Sequence, residues 1–490
     1  MSDIGASEPW DQATSLWLAN DLPQEMLSHL KLGGSPDTAI NSSFKLGSAA
    51  QTSIGLSGLA AAYIHSLRTG NMQDVSVDAR HAILDISSEY WHSVDDQRAT
   101  PFPWMQLAGI YRTKDNSFVC LQTYFPHHAE AILNILQCES TRKAIQAALL
   151  QWNAKDFEEE AEKQNMCVSA YRSFEEWDKH PQAAALRGTP PIQLIKIGDA
   201  PKREIKGSPP FPLDGIRVLD LSRVLAGPVC GRTLAAYGAD VLLVSSPKLP
   251  DLPFIDFDTS RGKRTTQLDL TEPTHHDRLK ELVKDADGSL RDKGFGAHEL
   301  AKIRPGIVCA NLTTYGWEGP WKNKRGFDSL VQTAMGFNWA EAEAFAEFNG
   351  QPVVDKPEPR ALHMHALDHV AGYFLAFGIQ AAIAKTITEG SSWEVRVSLA
   401  AVAQWLRSLG QIQPKIAFGD GKPLPKRTDA EVAALSVTLH EATGDKRQVE
   451  GTPRTMVAMR HAVQLSATPA KNVEAPLGLD RHEPVWLLRV

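Results

Sequence analysis

Asp368 stands in HALDHVAGYFLAFG, residues 365–378, among Leu367, Val370, Ala371 and Leu375. An ionised carboxylate in an apolar helix is costly to bury unless something pairs with it. Two kinds of chemistry answer to such a group. Stripped of solvent and held against an electrophile, a carboxylate becomes a competent nucleophile, and covalent capture splits a difficult exchange into easier steps. Alternatively, Asp368 caps a helix by binding backbone amides just after the loop PEPRALHMH. Gly372, one turn further along the same face, removes a side chain where a substrate would approach. His363, His365 and His369 flank the carboxylate, and His-x-His spacing is a pattern that metal sites use. No carboxylate or cysteine completes a ligand set at recognisable spacing, so no metal is expected, and His369 is expected to face the opposite side.

A second group of candidates is basic. RGKR places Arg261, Lys263 and Arg264 together, either as cations for a phosphorylated ligand or as a solvated turn. SRVLAGP, from Ser222 to Pro228, has the small residues of a strand-to-helix turn, whose exposed amides suit an anion.

The elements that position these residues fall into two patterns. In the first part, LSGLAAAYIHSLRTG has the spacing of a packed helix stopped by Gly70, and QDVSVDARHAILDI alternates before turning helical. FVCLQTY reads as a strand, HHAEAILNILQ as the helix after it, and KDFEEEAEKQ as a solvated helix face. Prolines and glycines then gather between Pro181 and Pro212, which marks a boundary. Beyond it IRVLDLS, VCGRTLAAYG and ADVLLVSSP give strand, helix, strand, a right-handed βαβ unit with a parallel sheet. PGIVCANLTTYG repeats the buried-strand pattern.

An ungapped shift of 320 places LSGLAAAYIHSLRTGNMQDVSVDAR over AFGIQAAIAKTITEGSSWEVRVSLA. Gly58 meets Gly378, Gly70 meets Gly390, and Val75 and Val77 meet Val395 and Val397. Asp368 falls on Ser48, so only one of the two segments carries the carboxylate.

Composition narrows the field. The 490 residues are 43% hydrophobic and 22% charged, with a net charge of -7. That is globular composition without the basic surplus of a general nucleic-acid binder. Five scattered cysteines suggest neither a zinc site nor a disulfide framework, and no apolar run of about 18 residues marks a membrane span. MSDIGASEPWDQ lacks a secretory pattern, so the cytoplasm is the expected compartment, with the mitochondrion an open alternative.

The ordered series PLDGIRVLDLSRVLAGPVCGRTLAAYGADVLLV, RGKRTTQLDL, RPGIVCANLTTYGWEGPW, RGFDSLVQTAMG, LDHVAGYFLAFGIQAA and WEVRVSLA resembles the class III CoA-transferase family. This is the CaiB–BaiF group, which also contains α-methylacyl-CoA racemases. The first part resembles the later half of the same fold, and HAVQLSATPAKNVEAPLGLDRHEPVWLL resembles another family C-terminus. The resemblance implies an α/β fold with a Rossmann-like parallel sheet and a smaller α+β domain. It divides the chain into an incomplete copy over 1–207, a nucleotide-binding front half over 208–408 and a shortened C-terminus over 409–490. One composite protomer is expected, with the first copy supplying the small domain.

In activity, the resemblance implies transfer of CoA from an acyl-CoA thioester to a carboxylic acid, with Asp368 as the nucleophile and no resident cofactor. CoA contacts are expected at Arg223, Val224, Leu225 and Ala226 in the strand-to-helix turn, and at Lys263 and Arg264. Arg325 is either a further contact or an exposed side chain. Acyl-CoA and carboxylic acid are the expected partners, with neither nucleic acid nor membrane, and a homodimer is one assembly the resemblance allows. The racemases carry Gly-His-Asp where this chain has Gly326-Phe327-Asp328, and Phe327 cannot carry a proton, so racemase is the second reading. A non-catalytic binding partner is the third. It draws on Ser48 and on an expected deletion, since KDADGSLRDKGFGAHEL runs from Asp287 straight to Gly288 where the family has a further strand and loop.

Overall fold

The computed structural model describes residues 8–205, 207, 209–291, 296–352, 354–446, 452–471 and 474–489. Its framework is a seven-stranded sheet with Arg264–Gln267 at one edge, followed by Asp240–Ser245, Arg217–Asp220, Gly288–Arg291, Val308–Thr313, Ser392–Ser398 and Gln193–Gly198. Every neighbouring pair is parallel except the last, where Gln193–Gly198 runs antiparallel to Ser392–Ser398. The apolar run of DVLLVS, and the first half of VCANLT, suit strands buried on both faces. Helix Pro273–Asp285 begins with a proline, which supplies the fixed φ of a first helical residue, and turns Leu279, Leu282 and Val283 onto the sheet. The fold is thus α/β, as expected.

The strand expected to be missing after Asp287 is present. Gly288–Arg291 lies between Arg217–Asp220 and Val308–Thr313, in parallel register with both. Four residues reading GSLR contain too short an apolar run to announce a strand. The loop that would follow it, 292–295, lies outside the described residues.

Two long helices form the centre. The upstream one is Leu46–Thr69 and the downstream one Ala366–Thr388. They pack along each other, with Gln380 Nε2 donating to Ser57 Oγ at 3.1 Å. Both are apolar or small on every face, the pattern of a helix enclosed on all sides. The downstream helix is long and apolar enough to cross a membrane by composition alone, contrary to the sequence expectation, but 94% of its most apolar window is buried inside the protein.

The correspondence at a shift of 320 recurs in the backbone. The two long helices start at equivalent positions, and Asp78 and Ser398 each cap the helix that follows, accepting from the N–H of His81 and Ala401. A Cβ on Gly58 would lie 2.8 Å from Val75 Cγ1, and one on Gly378 would lie 2.5 Å from Val395 Cγ1. Each glycine thus lets its helix approach an equivalent strand.

A second sheet repeats one end of the first. Leu30–Gly33 runs parallel to Val75–Asp78, which pairs antiparallel with Val463–Leu465. Val308–Thr313, Ser392–Ser398 and Gln193–Gly198 have that same arrangement in the large sheet. So a strand from the first part closes the large sheet, and a strand near the chain's end closes the small one.

A separate three-stranded antiparallel sheet, Gly109–Arg112, Phe118–Leu121 and Val168–Ala170, forms a smaller α+β layer with helices Pro126–Leu136, Arg142–Leu149 and Ala154–Lys163. The last of these is not a fully solvated face. Glu158 is buried between Arg172 and Lys324, with Lys324 Nζ 3.1 Å from Glu158 Oε1.

Candidate active site

Asp368 occupies the first turn of the downstream helix. It is not a cap. Its own N–H is the group being capped, donating to Asp328 Oδ2 at 3.0 Å. Asp328, the first residue of helix Asp328–Ala334, therefore satisfies one of the amide donors that every helix start leaves open. Among the described residues, the carboxyl oxygens of Asp368 accept no protein hydrogen bond, and the residue keeps 7% exposure. Burial, and then the neighbouring Asp328 carboxylate, push the Asp368 pKa well above the usual carboxylate range.

Opposing that shift is His365, three residues earlier. Its Nδ1 lies 3.0 Å from Glu89 Oε1, and its Nε2 lies 3.4 Å from the Tyr124 hydroxyl. His369 Nε2 meets the other oxygen of Glu89 at 2.8 Å. Burial alone would lower His365, but the bond to Glu89 and the surrounding phenols raise it well above its ordinary value, and the two imidazoles hold Glu89 below the usual range. The contact with Glu89 thus favours the protonated imidazole of His365 beside the Asp368–Asp328 pair. His363 points elsewhere, with Nε2 on the Asn41 carbonyl at 3.2 Å. Among the described residues no group of three or more His, Cys, Asp or Glu is arranged to hold a metal ion.

The strand-to-helix turn lies against the same helix. A Cβ on Gly372 would sit 2.6 Å from the Ala226 carbonyl and 2.9 Å from Val229 Cβ. Gly372 thus admits the start of helix Ala226–Ala236, and does not open the space for substrate that the sequence suggested. Gly372→Ala is expected to destabilise the protein by about 1–3 kcal/mol, because a backbone carbonyl cannot move aside as a side chain can. Chemical denaturation measures it. Val224 is held at φ 71°, a left-handed conformation that a β-branched residue adopts only under constraint from its surroundings. Asp220 ties the turn, accepting from Ser222 Oγ at 2.5 Å and from Lys263 Nζ at 2.8 Å.

The model of CoA-transferase family III matches residues 19–196 and 213–468, most of the chain. The chain belongs to that family. An acyl-CoA transferase of Gibberella moniliformis is 26% identical over 450 residues, covering 81% of this chain and 77% of that one. A succinyl-CoA–D-citramalate CoA-transferase of Chloroflexus aurantiacus is 30% identical over 212 residues, 39% of this chain and 50% of its own length. The chain therefore spans about half of that bacterial relative. Among solved structures, a CaiB/BaiF family protein from Brucella suis shares 23% identity over 48% of this chain and 64% of that one, with a TM-score of 0.34. A hypothetical protein from Mycobacterium tuberculosis shares 29% identity over 41% and 59%, with a TM-score of 0.35.

In this family III chain the predicted residues divide into two sets. Ala226 comes to the Asp368 helix at Gly372, and Val224 and Leu225 immediately precede it in the same turn. Arg223 lies over the Phe125 ring at 4.9 Å and donates to the Pro250 carbonyl at 2.7 Å. Arg325 is exposed nearby; burial first, and then His127 and Arg325, push the His128 imidazole down to about 4. Phe125 and His128 pack on Phe327, and Phe327 on Tyr124 at 5.9 Å, so these cations rim an aromatic wall that runs to His365.

Lys263 and Arg264 do not join that rim. Lys263 is fully buried, its ammonium committed to Asp220, and a Cβ on Gly231 would meet that pair at 2.4 Å. Arg264 sits on the sheet's edge strand and donates to the Val485 carbonyl at 2.5 Å. Arg261 is also buried, against Asp258 and the Met459 carbonyl. The basic run is an internal brace and not a solvated turn.

Sequence reasoning missed Glu89, Tyr124 and Asp328 as site residues. For Asp328 the signal was there, in the Gly-Phe-Asp motif. Glu89 and Tyr124 lie 276 and 241 positions from His365, and no local pattern connects them.

Proposed function

We propose that the protein moves CoA between an acyl-CoA thioester and a free carboxylic acid, with Asp368 as covalent carrier. The observation carrying this reading is the Asp368 carboxyl group itself: buried, slightly exposed, accepting no hydrogen bond among the described residues, and flanked by the Asp328 carboxyl and the His365 imidazole. A buried carboxyl group left without a hydrogen-bond partner is unfavourable for folding alone, so its persistence suits a group kept ready for reaction.

The steps balance without a redox or metal partner. An Asp368 oxygen attacks the thioester carbonyl, the C–S bond breaks, and CoA leaves as thiolate from a mixed anhydride. The thiolate attacks the Asp368 acyl carbon, releasing the donor as carboxylate and leaving an aspartyl-CoA thioester. The acceptor carboxylate then displaces the thiolate, which attacks the acceptor's acyl carbon and frees Asp368. His365 is placed to offset negative charge as the carbonyl oxygen becomes an oxyanion. CoA's phosphates would meet Arg223 and Arg325 at the rim and the amides of the Val224–Ala226 turn. Hydroxylamine added during incubation with acyl-CoA should convert Asp368 to a hydroxamate visible by mass spectrometry. No modification at Asp368 with a panel of acyl-CoAs would overturn the reading.

The same reading takes 1–207 as one incomplete family copy and the remainder, 208–408 with 409–490, as the other, both built into one catalytic unit. The pairing of Glu89 from the first with His365 and His369 from the second supports it.

A pH prediction follows from the carboxyl pair. Attack requires ionised Asp368, and its raised pKa moves the acidic limb of the rate profile above the ordinary carboxylate value of 3.8. Removing the Asp328 charge removes one cause of that rise. Asp328→Asn should therefore shift the limb of kcat/KM to lower pH while its side-chain oxygen still accepts from the Asp368 N–H.

A further inference from the structure

Away from Asp368, where the strands of the large sheet begin, lies a cavity of about 310 Å³ lined by Arg68, Arg203, Arg304 and Arg489 with Asp214 and Asp287. It is at the opposite end of the sheet from the Asp220–Ala226 turn, since Ile216 and Asp287 precede strands Arg217–Asp220 and Gly288–Arg291. Glu204 also lines it, so among the described lining residues four are arginines and three are acids.

Asp287 is fully buried and already crowded. Its oxygens lie 3.0 Å from Arg203 Nη1, 3.1 Å from Arg489 Nη2 and 3.6 Å from Arg304 Nη2, and one also accepts the Arg217 N–H at 3.0 Å. Asp214 accepts the Phe211 N–H at 3.0 Å, and Arg68 Nη1 donates to the carbonyls of Pro212 and Asp214 at 2.9 and 2.8 Å. That leaves donors over. Among the described residues, Arg68 Nε and Arg304 Nε are buried with no hydrogen-bond partner. Burial, with Arg304 and Arg489 working against the pull of Asp287, holds Arg203 below its ordinary value. Buried N–H groups without acceptors are costly, and clustered guanidinium groups match planar oxyanions in bidentate geometry.

We propose that this cavity binds one small polyvalent oxyanion, a phosphoryl compound or a polycarboxylate, at a site separate from the reaction centre. The volume is at the lower end of small-molecule sites. Its lining joins the end of the upstream long helix, the segment after strand Gln193–Gly198, the large sheet and the chain's last residues. A bound anion therefore ties the first part of the chain to the second, and it stabilises the folded state by mass action.

Titration calorimetry of the full chain with inorganic pyrophosphate, and separately with citrate, tests the site. Saturable binding of either at one per chain is expected, with a rise in melting temperature. Preference for pyrophosphate identifies a phosphoryl ligand, and preference for citrate a polycarboxylate. Arg304→Gln and Arg68→Gln, made singly, should each weaken binding about 10- to 100-fold, the loss of one charge-assisted contact. Saturating acyl-CoA should leave it unchanged. The proposal is overturned if neither probe binds saturably, if both variants bind as the parent does, or if acyl-CoA displaces the probe. None of these outcomes depends on whether Asp368 forms an adduct.

Discussion

Asp368→Asn is expected to reduce CoA transfer on the order of 10⁴-fold or more, the scale seen when a covalent nucleophile is removed, while the melting temperature holds or rises. The two halves of that expectation have one cause. The Asp368 carboxyl accepts no protein hydrogen bond among the described residues, so the amide inherits no broken contact. Burial and Asp328 raise its pKa, which means that the ionised form opposes folding at neutral pH. Asparagine removes the charge and nearly keeps the shape. A parent-like circular dichroism spectrum and melting curve, with no hydroxamate at position 368, separate lost chemistry from lost structure. A large drop in melting temperature would mean instead that Asp368 holds the helix start.

Asp258→Ala is expected to cost about 3–5 kcal/mol, the range for removing one partner from a buried ion pair. Asp258 Oδ2 accepts from Arg232 Nη1 at 2.6 Å and from Ser88 Oγ at 2.7 Å, and Arg261 Nη2 lies 3.0 Å from Oδ1. Arg232 is completely buried and reaches Asp85 Oδ1 at 3.3 Å, while the Tyr373 hydroxyl donates to Asp85 Oδ2 at 2.8 Å. Two acids thus neutralise two guanidinium groups that cannot release their protons. Removing Asp258 leaves both on Asp85. Against a total stability of about 5–15 kcal/mol, that loss is large. The folded-state pKa of Asp258 lies below its ordinary 3.8, so its contribution is complete above that pH and is lost as pH falls through the lower value. The gap in denaturation free energy between parent and variant should stay level from pH 7 down to about 4 and narrow below it.

Where the fold was legible in the sequence, packing had forced the same choice twice. Gly58 with Val75 and Gly378 with Val395 make the same helix-to-strand contact, and no other residue leaves room for it. The βαβ run beginning at Arg217 was legible because strands buried on both faces must be apolar throughout. What escaped notice depended on partners far along the chain. RGKR has the same composition whether it faces solvent or a buried Asp220, and only the fold brings Asp220 to Lys263. Glu89 lies in a short segment with no periodicity of its own, yet its carboxylate meets the imidazoles of both His365 and His369. Gly372 was read correctly as a position that needs space, but the space belongs to Ala226 and not to substrate.

The exchanged strands have a consequence for how the protein is made. Val75–Asp78 pairs on one side with Leu30–Gly33, which precedes it, but its other neighbour is Val463–Leu465. Roughly 390 residues must leave the ribosome between the two, about 20–80 s of synthesis at ordinary rates. Throughout that interval the edge of Val75–Asp78 that Val463–Leu465 will cover has no partner strand, the feature that recruits chaperones or other growing chains.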